Sequence, residues 1–420
     1  MSTTVPPAAR TSGDGRREAN AASVLRAVLD HGPVARSGIA RLSGLSPAAV
    51  SRQCADLARL GLLCEVPELV AASGVGRPQI PVDLRTGSAG GPLVAGVHIG
   101  VPGADFGLTD LRGTVVARRQ LRHDGIPAAD LPDHLGRALA RFIAERTPAG
   151  ARVLGAGAAI GGWVAPETGT VVRHDALGWH QRPLAAELRR HTGLPVRVDN
   201  HARAVAQSEL LFGRPEARRS LLHLFVGNVV DAALSIAGVV HSGPRSGAGD
   251  VAHLPAPGSR VACPCGRTGC LEATVSDTRL TRRAVERGIV PDAHIGLLAD
   301  AAAAGDGRAD ALLRERAQAV GRATGLLLDV LNPDLVVITE TSSTLQPEYL
   351  EEIRTAAIAH AHVCDDPDRI QIPHAGPAIL VVAAATIVLD PLFKSPLRSF
   401  ADTAAPHSPP PWRSPTPTSG

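Results

Sequence analysis

The sequence predicts an α/β protein built on central sheets, preceded by a small helical unit. Strand patterns alternate with helix patterns through most of the 420 residues, which is the signature of helices packed on sheets. The length exceeds one ordinary core, and 44% hydrophobic residues suffice to fill two or three. Before residue 90 the pattern differs, with three short helical patterns followed by a Gly-rich loop.

Residues 1–19 read as a disordered N-terminus. From Ala21 to about Leu63 three helical patterns are separated by "HGPVARS" and "SGLS". "CEVPELVAASGVGRPQIPVDL" reads as two strands around a loop, and "RTGSAGG" closes a unit over 20–85. A second domain over 92–393 follows. "LVAGVHIGV", "DFGLTDLRGTVVARRQL" and "RVLGAGAAIGGWV" are strand-like, with a helix near "LPDHLGRALARFIAERT". The strand "LPVRVDN", the helix "HARAVAQSELLFG" and the hairpin "SLLHLFVGNVVDAALSIAGVVHSG" come next. A long helix, "RADALLRERAQAVGRATGLLLDVLN", leads into the buried-strand pattern "PDLVVITE". Residues 394–420 are rich in Pro and Ser and read as a disordered tail.

Composition narrows the function. Aromatics are only 2%, which argues against a base-stacking platform. The net charge of +3 lies entirely in residues 1–90, where ten Arg face seven Asp and Glu. That places a modest nucleic-acid footprint at the N-terminal end. No membrane span or signal peptide is read, so a cytoplasmic protein with no membrane partner is expected. Clustered cysteines there favour a metal over a disulfide.

"SGIARLSGLSPAAVSRQCADLARLGLL" carries the strongest functional signal. Ser46 can cap a helix whose first turn accepts Pro47. Val50, Cys54 and Leu57 at i, i+4 and i+7 turn one face inward. Ala48, Ala49, Ser51 and Arg52 are then expected near the exposed N-terminal end. An earlier helix, 37–42, joins through a tight turn at Gly44, as in a helix-turn-helix whose second helix lies in the major groove of double-stranded DNA. Arg52 can fork onto guanine, Ser46 and Ser51 suit phosphates, and Arg77 in the "GVGRP" wing suits a minor groove or phosphate. The bland alternative is a small helical interaction module.

"HLPAPGSRVACPCGRTGC" holds His253, Cys263, Cys265 and Cys270. Three thiolates and one imidazole make a closed shell, as structural Zn2+ requires, with no position open for a catalytic water. The weaker alternative is buried cysteines, or one disulfide with a spare thiol. Cys54, Cys64 and Cys364 read as inert thiols.

From about residue 21 to 393 the chain resembles the ROK family (repressors, open reading frames and kinases), on its branch of sugar-responsive transcriptional regulators. "GAGDVAHLP" and "CPCGRTGCLEA" carry the resemblance, supported by "VDNHARAVAQSELLFG" and the "GRP" wing. It implies an actin-like, two-lobed sugar-kinase domain preceded by a winged helix-turn-helix, with the zinc ligands named above. It also implies a sugar effector held by Asn200, Asp250, His253 and Glu272, with His201 at the catalytic aspartate's position. Asp250 and Glu272 could instead be outer partners of the metal loop. A homodimer or dimer of dimers on a palindromic operator is expected.

The kinase elements are where this sequence departs from the family. His98 replaces an Asp in the first phosphate loop, and Val101 and Pro102 replace its Gly-Thr turn. The second loop reads "GNVVD", ending in Asp231, and Thr339 and Glu340 replace a Gly-Gly pair. The sequence therefore predicts a sugar-sensing repressor that is not an enzyme. Two alternatives remain: a sugar kinase with an N-terminal extension, and a ligand-independent DNA binder.

Overall fold

The computed structural model describes residues 13–69, 80–87 and 90–399. The chain divides into two compact units, one of residues 1–83 with 391–420 and the other of 84–390.

The first unit contains α1 (Gly13–His31), α2 (Arg36–Ser43), α3 (Pro47–Arg59) and the strands β1 (Leu63–Glu65) and β2 (Val82–Leu84). Helix α1 begins inside the stretch read as disordered, so that expectation is corrected for 13–19. Ala21, Val24, Leu25 and Val28 recur at helical spacing and are fully buried, and Glu18 extends the buried face one turn earlier. A polar, Arg-rich first turn had hidden the helix start. β1 pairs with β2, and Val34 exchanges two backbone hydrogen bonds with Val82, at 3.0 and 2.9 Å.

The second unit is a duplicated α/β design. Its first half comprises β3 (Pro92–Ile99), β4 (Gly103–Thr109), β5 (Val115–Arg122), α4 (Leu131–Arg146), β6 (Arg152–Ile160), β7 (Trp163–Ala165), β8 (Thr170–His174), β9 (Trp179–Arg182), α5 (Leu184–Thr192), β10 (Val196–Asn200) and α6 (His201–Phe212). The second half comprises β11 (Ser220–Val226), β12 (Val230–Ile236), β13 (Val239–Val240), α7 (Leu271–Val275), α8 (Asp277–Glu286), α9 (Ile295–Ala303), α10 (Gly307–Leu331), β14 (Leu335–Glu340), α11 (Thr341–Leu345), α12 (Pro347–His360), β15 (Ile370–Gln371) and α13 (Ile379–Lys394).

The sheet orders are β10-β6-β3-β4-β5 and β13-β12-β11-β14-β15. In each, an antiparallel meander is extended by two parallel strands. Two such halves form the two-lobed, actin-like sugar-kinase fold. β7, β8 and β9 add a three-stranded sheet to the first lobe.

Helix α13 lies so close to the first sheet that only glycine fits beneath it. A Cβ on Gly96 would stand 2.5 Å from the Val381 carbonyl, and one on Gly157 would overlap the Ala384 carbonyl. The segment Gly376–Lys394, with mean hydropathy 2.0, is long and apolar enough to cross a membrane, but most of it is buried within the fold. Helical structure also continues from α13 to residue 399, inside the stretch read as a disordered tail.

Candidate functional site

Three constellations gather the chemistry. In the first unit, Gly44 closes α2 with φ at +69°, a conformation that favours glycine. Ser46 then caps α3, its hydroxyl oxygen accepting from the Ala49 N–H at 3.3 Å, with Pro47 in the first turn. Val50, Cys54 and Leu57 face inward. Ser46, Ala48, Ser51 and Arg52 are exposed together on the opposite side. Ala49 is not among them: it is buried, because its position continues the buried face that Val50 and Gln53 share. Arg77 lies outside the described residues. The nearby ion pairs, Arg17–Asp56, Arg59–Asp56 and Arg36–Glu65, hold the scaffold. Arg52 takes no part in them.

The second constellation is the metal loop. A ring nitrogen of His253 and the Sγ atoms of Cys263, Cys265 and Cys270 all lie within 4.8 Å of one another. Cys265 and Cys270 are 3.7 Å apart, as are Cys263 and His253. A tetrahedron with zinc–sulfur bonds of about 2.3 Å has edges of roughly 3.8 Å, so the donor set fits zinc in both chemistry and spacing. The backbone prepares the loop. Cys263 N–H donates to the Arg267 carbonyl and Gly266 N–H to the Cys263 carbonyl, with Gly266 and Gly269 at positive φ. Arg267 Nε donates to Cys265 Sγ at 3.4 Å, which holds that thiol down to about 6. That guanidinium favours the thiolate a metal needs.

The third constellation is the cleft of the second unit. Asn200 ends β10 and caps α6. Its side-chain oxygen accepts from the Ala202 and Arg203 N–H groups, and its Nδ2 donates to the Gly162 carbonyl and Asp231. These bonds use the amide's capacity within the protein. Asp231 also accepts from Gly162 N–H and faces His201 Nε2 at 3.0 Å. His201 Nδ1 lies 3.3 Å from His98 Nε2, and the two rings stack. In the tautomer whose Nε2–H donates to Asp231, Nδ1 of His201 accepts from His98 Nε2–H. Both nitrogens of His201 are therefore engaged.

Asp250 remains exposed, while Glu272 is partly buried and accepts the Val230 N–H at 3.0 Å. Burial raises the Glu272 pKa, aided by the charges of Asp231 and Asp250. Asp250, His253 and Glu272 thus stay near the cleft with polar capacity unused, whereas Asn200 and His201 do not. Sequence reasoning missed the partners that occupy them. His98 and Asp231 stood out only as departures from kinase loops, and 103 residues separate His98 from His201.

A buried ion cluster also escaped notice. β11 and β14 are parallel and end side by side at Val226 and Glu340, the edge where such sheets ordinarily receive ligands. Arg316 from α10 fills it, reaching Asp277 at 2.8 Å, Glu340 at 3.2 Å and the Val226 carbonyl at 3.3 Å.

Burial holds three histidines of the second unit neutral, with His98 and His223 near 3 and His174 near 4. Their ordinary value is about 6.5. As pH falls from about 6.5 towards 4, the unfolded chain binds protons that the native fold refuses, so stability is lost in that window. Each histidine contributes a slope of up to about 1.4 kcal/mol per pH unit. Urea denaturation at pH 7.5, 6 and 5 should show this decline, and His223→Gln should flatten it by one proton's worth. An unchanged slope in that variant would exclude His223 as a source.

Comparison with known proteins places these sites in context. The profile described as the ROK family matches residues 94–376. A protein of Mycobacterium tuberculosis named as a transcriptional regulator is 35% identical over 405 residues, covering 92% of this chain and 88% of its own. The xylose repressor of Caldicellulosiruptor bescii is 27% identical over 359 residues, covering 80% and 87%. Among solved structures, a ROK family transcriptional regulator homologous to the Escherichia coli Mlc protein aligns with TM-score 0.73 at 20% identity. That alignment covers 92% of this chain and 99% of the other.

Proposed function

Because the chain belongs to the ROK family, we propose that it is a DNA-binding transcriptional regulator, a repressor of sugar metabolism or transport genes whose kinase-like unit senses a sugar without phosphorylating it. The observation that carries the reading is the first unit's α2–turn–α3, which exposes Ser51 and Arg52 on a helix whose other face is buried. The names of its relatives, a transcriptional regulator and a xylose repressor, point the same way.

In this reading α3 enters the major groove of an operator, and Arg77 reaches a minor groove or a phosphate. Arg52 reads guanine, while Ser46 and Ser51 grip phosphates. A homodimer pairs two heads on a palindromic site in the cytoplasm.

The cleft supports sensing over catalysis. A phosphoryl acceptor needs a base with a free lone pair, and His201 spends both nitrogens on His98 and Asp231. The Arg316 cluster fills the strand ends where a nucleotide would pack. Asp250, the second ring nitrogen of His253 and Glu272 are left to meet the hydroxyls of a sugar. Zinc held by His253, Cys263, Cys265 and Cys270 braces that wall as a closed structural site.

The deciding experiment selects genomic DNA fragments with the purified, zinc-loaded protein at stated salt, with and without a panel of sugars. Enrichment of a palindrome that one sugar releases is expected. Failure of a folded protein to enrich any sequence, together with sugar-dependent ATP turnover, would overturn the reading in favour of a kinase. On the selected site, Arg52→Ala should weaken binding by about 1–3 kcal/mol and relax one base position. A loss uniform across sequences would reassign Arg52 to a phosphate.

A further inference from the structure

The head is discontinuous in sequence, because residues 391–399 cluster with the N-terminal segment and not with the sensor that precedes them. One side chain joins the two segments. Glu18, on the inner side of α1 and only 8% exposed, accepts from the backbone N–H of Leu397 at 2.8 Å and lies 3.5 Å from that of Arg398. These amides begin a short helical stretch after Ser395, where first-turn N–H groups lack partners within their own helix. A carboxylate is a strong acceptor there. Ser395 N–H donates to the Pro391 carbonyl and Ser399 N–H to the Ser395 carbonyl, so 391–399 is an ordered piece of the head.

The same stretch of chain is rooted in the sensor. Helix α13 runs from Ile379 to Lys394, and its first turns rest on glycines. A Cβ on Gly96 would stand 2.5 Å from the Val381 carbonyl, and one on Gly107 would stand 2.8 Å from Val381 Cβ. Gly96 faces Gly157 in register, and it lies two residues before His98 on β3. Strand periodicity puts Gly96 and His98 on one face. The strand that carries a cleft histidine therefore also seats α13. Packing this close leaves no slack, so a shift of β3 must move the helix or break the contact.

We propose that residues 391–399 form a strap through which the sensor controls the head: α13 is seated on the glycines of β3, β4 and β6, and its continuation completes the head at Glu18. The strap's purpose rests on the regulator reading above; its measurement does not. Changes in the cleft alter the seat of α13, and the head feels them through the amides that Glu18 holds. Control in this form is reciprocal, so releasing the strap must also be felt in the sensor.

Hydrogen–deuterium exchange on the zinc-loaded 420-residue chain tests this without DNA or sugar. Glu18→Ala, and a chain ending at Lys394, should each raise exchange in residues 13–31 at least tenfold and raise it measurably in 379–390. Glu18→Gln, which keeps one acceptor, should fall between. Gly107→Ala should raise exchange in 13–31 in the otherwise native chain and add nothing once Glu18 is Ala. Unchanged exchange in 13–31 after loss of Glu18 or of the strap would overturn the proposal. So would changes confined to the head, or a Gly107→Ala effect that stops at α13. If Gly107→Ala fails to fold, the effect of Glu18→Ala on 379–390 decides the matter. A chain that shows transmitted exchange yet selects no genomic DNA would keep the strap and sink the regulator reading instead.

Discussion

Cys270→Ser is expected to destabilise the second unit by more than about 4 kcal/mol, since folding and structural-zinc binding share one free energy and such sites bind zinc with roughly 10 kcal/mol or more. Cys270 is the most deeply buried ligand of the set and the residue from which α7 starts. Its neighbours tie the metal loop to the cleft. Leu271 N–H donates to the Leu254 carbonyl, Glu272 N–H to the Ala252 carbonyl, and the Glu272 carboxylate holds the Val230 N–H beside Asp231. Losing the metal should therefore loosen Glu272 and then Asp231, not the loop alone. Urea titration with zinc stoichiometry would measure it, and a chelator should reproduce the variant in the native chain. Because bound thiolates must be deprotonated, zinc should be released more easily as pH falls. A Cys270→Ser protein with native midpoint and full zinc content would show that the loop stands without its metal.

What the sequence made legible follows from distance along the chain. The metal loop and the α2–α3 turn are local, so eighteen residues contained the ligand spacing and fourteen the cap, proline, glycine and apolar stripe. Strand and helix patterns placed most of the β3–α6 half for the same reason. The cleft was harder. The resemblance implies Asn200 as a sugar ligand, yet besides capping α6 locally it spends its Nδ2 on Gly162 and Asp231, partners that arrive only when the β6–β7 turn and β12 meet the end of β10. Glu18 offers no signal at all: its partner Leu397 is 379 residues away and is a backbone amide, which no side-chain pattern encodes. Ala49 fails differently, through a one-residue error in the edge of a helical stripe.

Arg316→Met should cost about 3–5 kcal/mol, the price of leaving buried charge without its partner. Arg316, Asp277 and Glu340 are each less than a tenth exposed. Ser342 Oγ and Ser343 N–H also donate to Glu340, so that carboxylate keeps some support. Asp277 has less, and its pKa is already raised by burial, with Arg316 opposing the rise. Removing the guanidinium should push it further up. A carboxyl with a folded pKa above its unfolded value favours the native state at pH below the unfolded value and loses that contribution as pH rises. The deficit of Arg316→Met should accordingly be largest near pH 7.5 and shrink towards pH 5. Urea midpoints at both values decide between two causes. A deficit independent of pH would assign the loss to packing around α10, whereas one that closes on acidification assigns it to the unpaired carboxylates. The second outcome would mean that charge stabilises the strand ends from inside the protein, at the edge where a kinase of this fold would instead receive a nucleotide.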